Sequence, residues 1–522
     1  MNKKGSIIFP VLFVLAMSSG SFAQVGSEQI VQLVRNDAAF KKLSLQCPAE
    51  VKQVYEALQF QAIWLGHSSR IRELLQLFQQ SANLGLNKKD YQNSAVQTIG
   101  KDPSGWSSKD SLTIELRLTD AAIHFVKDIA DGNAPLQLGY NGLNYRSGCS
   151  NIPGLLAAAI QMDRLLTLPA MAEQKTEEYN SIKNRIIWLN AIMADSSFKE
   201  VIIKSTNANS NNRELFVKLY QLGLLDSATQ KLQEKGLKTK IRSAQELFNL
   251  TADSVLRSNL VAALNVPLRY RLEELKLTIN ILRALNCIKQ SSTVIIVNIP
   301  SATVLVYDHG KNILESRIIV GKRSTPTSTL CSKVTDVVLY PYWMVPYSIA
   351  TKELLPAIKR NIGYLDAGNY QVINKAGKVM NPYAIDWQSL SRSYFPYIIR
   401  QSTGCDNSLG LVKLNFYNPF GAYLHDTPAK KLFAYSKRYF SHGCMRVQKA
   451  MELAHIVLKN NSIALDTLED KGCLRNKAPV IVPADQQLPV FVIYTTAWID
   501  ANGRITFNED VYRKLSALRR ND

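Results

Sequence analysis

The stretch Ser291-Ser292-Thr293-Val294-Ile295-Ile296-Val297-Asn298-Ile299-Pro300 is where this chain changes its period. Val294 to Val297 is an apolar run of strand length, bounded by turn residues. Ile299-Pro300-Ser301 and His309-Gly310 then set off two more runs, Ala302 to Tyr307 and Ile313 to Val320. Val337-Val338-Leu339, Val412-Lys413-Leu414, Ala422-Tyr423-Leu424 and a late strand over 489–495 continue the β character. A long excursion rich in Pro, Tyr and Trp, from Trp343 to Asn407, interrupts it. Inside a β domain that length reads as a lid or subdomain.

Before residue 291 the spacing is helical. Ser68-Ser69 precede Ile71, Leu74, Leu75, Leu77 and Phe78, with Gly85 beyond the end as a C-cap. Leu112 to Ile129 and Thr176 to Met193 are further amphipathic segments. A smaller helical unit follows from residue 206, with apolar positions at Leu215, Leu219, Ile241, Ala244, Leu260 and Leu264, and a long helix from Leu268 to Ile288 connects onward. The tail is expected to end in a basic helix.

At 522 residues, 46% hydrophobic and 20% charged, the chain is long enough for several folded domains. Lys3 and Lys4, an apolar core from Ile7 to Met17 and the small-x-small site Ser21-Phe22-Ala23 predict a cleavable export leader over 1–23. That core is shorter than the roughly 20 residues a membrane span requires, and no later segment is long and apolar enough. The leader carries two lysines and no acid, so the formal charge of +20 becomes +18 without it. Such a surplus suits an anionic partner or a solvated basic surface. No nucleic-acid motif accompanies it. Seven cysteines predict pairs plus one free reactive thiol, with Cys444 the candidate. Cys47 with Cys149 is the pairing that would tie the N-terminal region together. Connectivity among Cys287, Cys331, Cys405 and Cys473 does not follow from sequence.

The chemistry concentrates in Ser441-His442-Gly443-Cys444-Met445-Arg446, with His425 nineteen positions before the cysteine. A thiol and an imidazole are the minimal parts of a nucleophile and its base. Gly443 lets the backbone turn tightly and present the sulfur. The apolar run Val447, Ala450, Leu453, Ala454, Val457, Leu458 reads as a helix beginning at once, which would place Cys444 at a helix N-terminus that favours a thiolate. Asp426 is a candidate third member beside His425. Adjacent strand residues point to opposite faces, which favours a backbone carbonyl in that role. His425, His442 and Cys444 could also ligate zinc, but no fourth ligand stands at a convincing spacing.

Tyr423-Leu424-His425-Asp426-Thr427-Pro428 followed by Phe440-Ser441-His442-Gly443-Cys444-Met445-Arg446-Val447 resembles the signature of L,D-transpeptidases with a YkuD-type catalytic domain. Asn298-Ile299-Pro300, Val320-Gly321-Lys322, Val345-Pro346, Ile385-Asp386-Trp387, Asn407-Ser408-Leu409-Gly410 and Thr496-Ala497-Trp498 fall in the order of the large, scaffolded, YcbB-like branch. The resemblance implies a multidomain α+β chain, exported to the periplasm, monomeric and without cofactor or metal. Its expected divisions are a signal peptide (1–23), a helical scaffold domain (24–205) and a peptidoglycan-binding-like helical module (206–270). A linker helix (271–290), a mostly-β catalytic domain (291–475, with a capping insert over 343–407) and a C-terminal tail (476–522) packing back on the scaffold or catalytic domain complete it.

The same resemblance implies a peptidoglycan cross-linking enzyme, acylated by carbapenems, whose thiolate takes a tetrapeptide stem, releases D-alanine and passes the acyl group to an amine. Stem peptides are its implied partners, with glycan strands and peptidoglycan synthases as further candidates. Carried over by position, Cys444 is the nucleophile and His425 its base. His442 and Gly443 shape the loop, and the Gly443 and Cys444 N–H groups stabilise the oxyanion. Tyr423, Trp343 and Ser441 contact substrate, and Arg446 binds a stem carboxylate or braces the loop. His442 stays open between a second catalytic imidazole and a loop-packing residue. Cys405 departs from the family pattern, and a disulfide there would stiffen the insert. The 206–270 module lacks the glycine and aromatic features of a sugar-binding groove. Two alternatives remain: an L,D-carboxypeptidase or thiol peptidase in which water resolves the thioester, and a non-catalytic wall-binding scaffold.

Overall fold

The computed structural model describes residues 25–92, 94–99, 107–206, 212–227, 233–459, 463–500 and 503–515. The expected leader lies outside the described residues. Packing divides the chain into two units, one formed by residues up to Ala134 with Gly148–Lys175, the other by Pro135–Ser147 with Thr176–Asp522. No described helix is long and apolar enough to cross a membrane.

The first unit is helical. Its central helix, Ser108–Asp131, starts at a capping box in which Ser107 and Asp110 satisfy each other's backbone N–H groups. Its buried stripe, including Ile114, Leu118, Ile123, Phe125 and Ile129, packs among Val51, Val54, Ile71, Leu74, Leu156 and Ile160 of the surrounding helices. Acidic side chains on the same helix tie down loops. The fully buried Glu115 carboxylate accepts the backbone N–H groups of Ile63 (2.5 Å), Trp64 (3.2 Å) and Leu65 (2.9 Å) and the hydroxyl of Tyr55 (3.1 Å). Asp120 likewise accepts the N–H groups of Gln46 and Cys47. The expected Cys47–Cys149 pair does not form. Cys47 is a free, buried thiol, while Cys149 is engaged in a disulfide.

In the second unit the period change at residue 291 is real. The helix Leu268–Ser291 ends, and the chain enters a sheet built first from β1 (Tyr140–Asn141), β2 (Thr293–Asn298), β3 (Thr303–Asp308), β4 (Lys311–Gly321) and β5 (Leu330–Leu339). Within the insert, β6 (Trp343–Met344), β7 (Tyr370–Ile373), β8 (Val379–Met380) and β9 (Ile398–Gln401) form a separate small sheet, order β6-β9-β7-β8. It has its own core around Leu354, Ile358, Leu365, Trp387 and Ile399. The main sheet resumes with β10 (Val412–Phe416), β11 (Leu424–His425), β12 (Tyr439–Ser441), β13 (Met445–Val447), β14 (Val480–Pro483) and β15 (Pro489–Ile493). Its path β5-β10-β11-β13-β4-β3-β2-β15 closes on itself through a β15–β5 pairing, so the ring has no free edge.

The β2 run is apolar throughout because both of its faces are covered. Ile295 and Val297 enter the sheet's inner core, while Val294 and Ile296 pack with Ile281 and Leu285 of the helix Leu268–Ser291. The helix Ala450–Leu458 fills the inner core with Leu453, Ala454, Val457 and Leu458.

Several boundaries differ from expectation. The helix Glu177–Ala194, expected within the scaffold domain, belongs to the second unit, where it packs with the helices Arg213–Gln221, Glu234–Leu247, Ser258–Leu264 and Leu268–Ser291. The residues after 476, expected to pack back on the scaffold or catalytic domain, enter the catalytic sheet. β15 is an integral strand parallel to β2, and the hairpin β16 (Ala497–Ile499) with β17 (Ile505–Phe507) completes the core of those helices. Of the expected basic helix at the chain's end, residues 511–515 hold only turns, and the remainder lies outside the described residues.

Replacing Glu115 by Ala leaves three buried N–H groups without their acceptor, at a cost on the order of 3 kcal/mol. Thermal unfolding of Glu115→Ala should show the first unit melting several degrees lower, with Glu115→Gln in between.

Candidate active site

β11 is only two residues long, yet it sets the site. It pairs antiparallel with β10, Lys413 opposite His425 and Leu414 opposite Leu424. On its other side it pairs parallel with β13, Leu424 beside Met445 and His425 beside Arg446. Leu414, Leu424, Met445 and Val447 are fully buried in the inner core. Strand alternation therefore sends Lys413, Tyr423, His425, Cys444 and Arg446 to the opposite face. The Met445 N–H donates to the Tyr423 carbonyl (3.0 Å), which seats Cys444 alongside Tyr423. Residues from three strands thus share one surface, with His425 diagonal to Cys444.

The base is held in one orientation. His425 is 4% exposed, and its Nδ1 lies 2.5 Å from the backbone carbonyl of Asp426. That contact makes Nδ1 the protonated nitrogen and leaves the Nε2 lone pair free. The Asp426 carboxylate faces elsewhere, accepting from the Leu411 N–H (3.0 Å) and from Lys430. Burial, then the neighbouring Arg446 charge, lower the imidazole pKa to about 3, so the ring is neutral at physiological pH.

Cys444 is a free thiol, partly exposed, with Sγ 3.9 Å from the Gly421 carbonyl. Burial pushes it above the ordinary thiol range. Hydrogen bonds from the Tyr423 hydroxyl and N–H and the charges of Lys413 and Arg446 pull the other way. The helix-dipole expectation fails for a simple reason: β13 intervenes, and the helix begins only at Ala450, beyond the range of its first turn. The resting pair is thiol plus neutral imidazole.

The loop before the cysteine is locked from below. Gly443 has φ +116°, a conformation that side-chain-bearing residues avoid. Its carbonyl accepts from Thr327 Oγ1 (2.8 Å), which in turn accepts from the Gly321 N–H (2.9 Å). Tyr512 donates to the Gly321 carbonyl (2.6 Å) and accepts from the Thr327 N–H (3.0 Å). A Cβ on Gly321 would overlap the Thr325 carbonyl oxygen.

Several expected roles are corrected here. Ser441 does not face substrate. It is 3% exposed, and its hydroxyl donates to the Cys444 carbonyl (2.6 Å) and accepts from the Gly443 N–H (3.2 Å). That bond also removes the Gly443 N–H from any oxyanion role. His442 turns outward, its Nε2 2.7 Å from Glu353 of the insert and 3.4 Å from Lys322, as a tie between loop and insert. Burial pushes the Tyr423 phenol up, with Trp343 and Arg446 opposing the shift, and the Arg446 Nε is buried without a hydrogen-bond partner.

Sequence reading missed Lys413 and Asn418. The alternation Val412-Lys413-Leu414-Asn415-Phe416 was the available signal for the lysine. For Asn418 it was the turn Asn418-Pro419-Phe420-Gly421, where its side chain bonds the Phe420 and Ala422 N–H groups and the Ala422 carbonyl. The insert is also stapled where it rejoins the sheet, by a Cys405–Cys473 disulfide.

Comparison with known proteins agrees with this architecture. Residues 292–482 match the L,D-transpeptidase catalytic domain, YkuD, and residues 49–186 match the Scaffold domain. The chain carries a YkuD L,D-transpeptidase catalytic domain together with a Scaffold domain. A Haemophilus influenzae protein named "Putative L,D-transpeptidase" is 39% identical over 218 residues, 42% of this chain. The chain spans 44% of that relative's length. A solved L,D-transpeptidase from Mycobacterium smegmatis is matched over 38% of this chain and 58% of that one, at 13% identity and a TM-score of 0.19, too low to bear on the fold.

The resting state has a pH signature. Because the thiol is raised and His425 titrates near 3, alkylation of Cys444 by iodoacetamide should climb steadily from pH 6 to beyond the ordinary thiol pKa of about 8.5. A reactive plateau at pH 5–6 would reveal a preformed thiolate–imidazolium pair instead.

Proposed function

We propose that this chain is a peptidoglycan L,D-transpeptidase that forms 3→3 cross-links through a Cys444 thioester. The supporting observation is the pairing of β11 with β13, which sets Cys444, the residue just before β13, diagonal to a neutral, orientation-locked His425 whose Nε2 lone pair is free. In the first half-reaction His425 Nε2 takes the thiol proton as sulfur attacks the carbonyl of the third stem residue. The tetrahedral oxyanion is stabilised by the Cys444 N–H, which no carbonyl accepts among the described residues. Collapse breaks the peptide bond, the imidazolium protonates the departing amine, and D-alanine leaves. In the second half-reaction the side-chain amine of another stem attacks the thioester, His425 accepts its proton, and the sulfur departs and is reprotonated.

Arg446, with a buried Nε and no partner, supplies a ready donor for a stem carboxylate. Tyr423 and Trp343 line the approach, and the 343–407 insert acts as the cap that limits water. Export by the 1–23 leader would place the enzyme in the periplasm with its substrate. Glycan strands and peptidoglycan synthases are proposed partners.

Intact-mass measurement after incubation with a disaccharide tetrapeptide, and separately with a carbapenem, tests this. Wild type should gain one covalent adduct and yield cross-linked dimer, Cys444→Ala should gain none, and His425→Ala should acylate 10²–10⁴-fold more slowly. An adduct with only trimmed tripeptide product would assign the carboxypeptidase reaction. A folded wild type without adduct would leave the wall-binding scaffold.

A further inference from the structure

Lys413 stands on β10 directly opposite His425, and its neighbours Val412 and Leu414 are buried in the inner core. Its ammonium lies over the Tyr423 ring, 4.2 Å from the centroid. That ring packs edge-on against His425 at 5.5 Å, and Tyr423 pulls the Cys444 thiol down against the rise that burial gives it. No carboxylate forms a salt bridge with Lys413 among the described residues. The acid nearest in influence, Asp336 on β5, is already occupied by Asn415 (2.7 Å) and Thr335 (2.6 Å).

The charged and titratable groups facing Cys444 are therefore Tyr423 just before β11, His425 on β11, Lys413 on β10 with Asp336 behind it, and Arg446 on β13. On the loop's outer side lies the His442–Glu353 pair with Lys322 beside it. Two cations converge on the reacting face, and no anion among the described residues there balances them until the sulfur ionises.

We infer that Lys413 is a positioning residue for the reaction. Held over Tyr423, its ammonium is the standing counter-charge for the Cys444 thiolate and keeps His425 neutral and ready to accept the proton. A cation over an aromatic face is attracted by the ring quadrupole, which fixes its position; burial lowers the Lys413 ammonium's pKa, and the Cys444 charge opposes that shift. This separates it from Arg446, whose fork is suited to a carboxylate of the substrate. The reading rests on Cys444 as the nucleophile but not on the identity of the acyl donor or acceptor.

The test is alkylation of Cys444 in the full chain, read by mass spectrometry of the peptide that contains it, with neutral iodoacetamide and anionic iodoacetate across pH 6–10. Neither reagent needs a stem peptide, so failure of cross-linking and failure of this proposal are distinguishable. Lys413→Met should raise the apparent thiol pKa by about one unit, a roughly tenfold slower reaction near neutrality. It should also lower the iodoacetate-to-iodoacetamide rate ratio, and Lys413→Arg should restore both. In turnover, Lys413→Met should reduce kcat and leave KM nearly unchanged. Should Lys413→Met fold poorly, Tyr423 variants give an independent reading: Tyr423→Phe keeps the ring and should keep the rate ratio, while Tyr423→Leu should lose it. An unchanged pH profile and ratio in Lys413→Met, or a change confined to KM, overturns the proposal.

Discussion

The two-residue bridge of β11 to β13 is the constraint on which the site depends. Leu424 and Met445 drive it, because both are fully buried in the inner core and adjacent in register. Burying such side chains is worth about 1.5–3 kcal/mol each. A slip of one residue would put Tyr423 and His425 into that core and Leu424 into the site. The apolar face thus fixes the polar one, and Cys444 is set diagonal to His425 as a consequence of packing.

Around that bridge the protein arranges polarity by exclusion. The Asp426 backbone carbonyl, not its carboxylate, orients the imidazole, and the carboxylate is held away by the Leu411 N–H. What remains near the sulfur is cationic or neutral: Lys413, Arg446, Tyr423 and Trp343. The nucleophile is consequently protonated at rest, and its ionisation is coupled to proton transfer. The rigidity this requires comes from the Thr327–Tyr512–Gly321 network, which reaches the Gly443 carbonyl from Thr327, 116 positions earlier, and from the end of the described chain.

How far the sequence could be read depended on how local each signal was. The strand runs at 294–297, 302–307 and 313–320 and the helices near 112–129, 176–193 and 268–288 were legible because their burial patterns are periodic over several residues. The helix after Cys444 was legible in place but not in start, since the same apolar letters serve β13 first and the helix only from Ala450. Ser441 looked like a substrate contact because it precedes the histidine, glycine and cysteine of the signature. Only its burial shows that the hydroxyl is consumed within the loop.

By itself the sequence determined the alternation of helix and strand, the catalytic pair Cys444 and His425 as candidates, and the family signature that joins them. These rest on short-range spacing. Tertiary structure alone decided that β15 closes the sheet against β2 and β5, that Cys405 pairs with Cys473 while Cys47 stays reduced, and that Lys413 stands beside His425. Each joins positions far enough apart along the chain that no local pattern encodes the contact. They meet only because a closed sheet with a filled interior leaves one register in which every strand buries its apolar face.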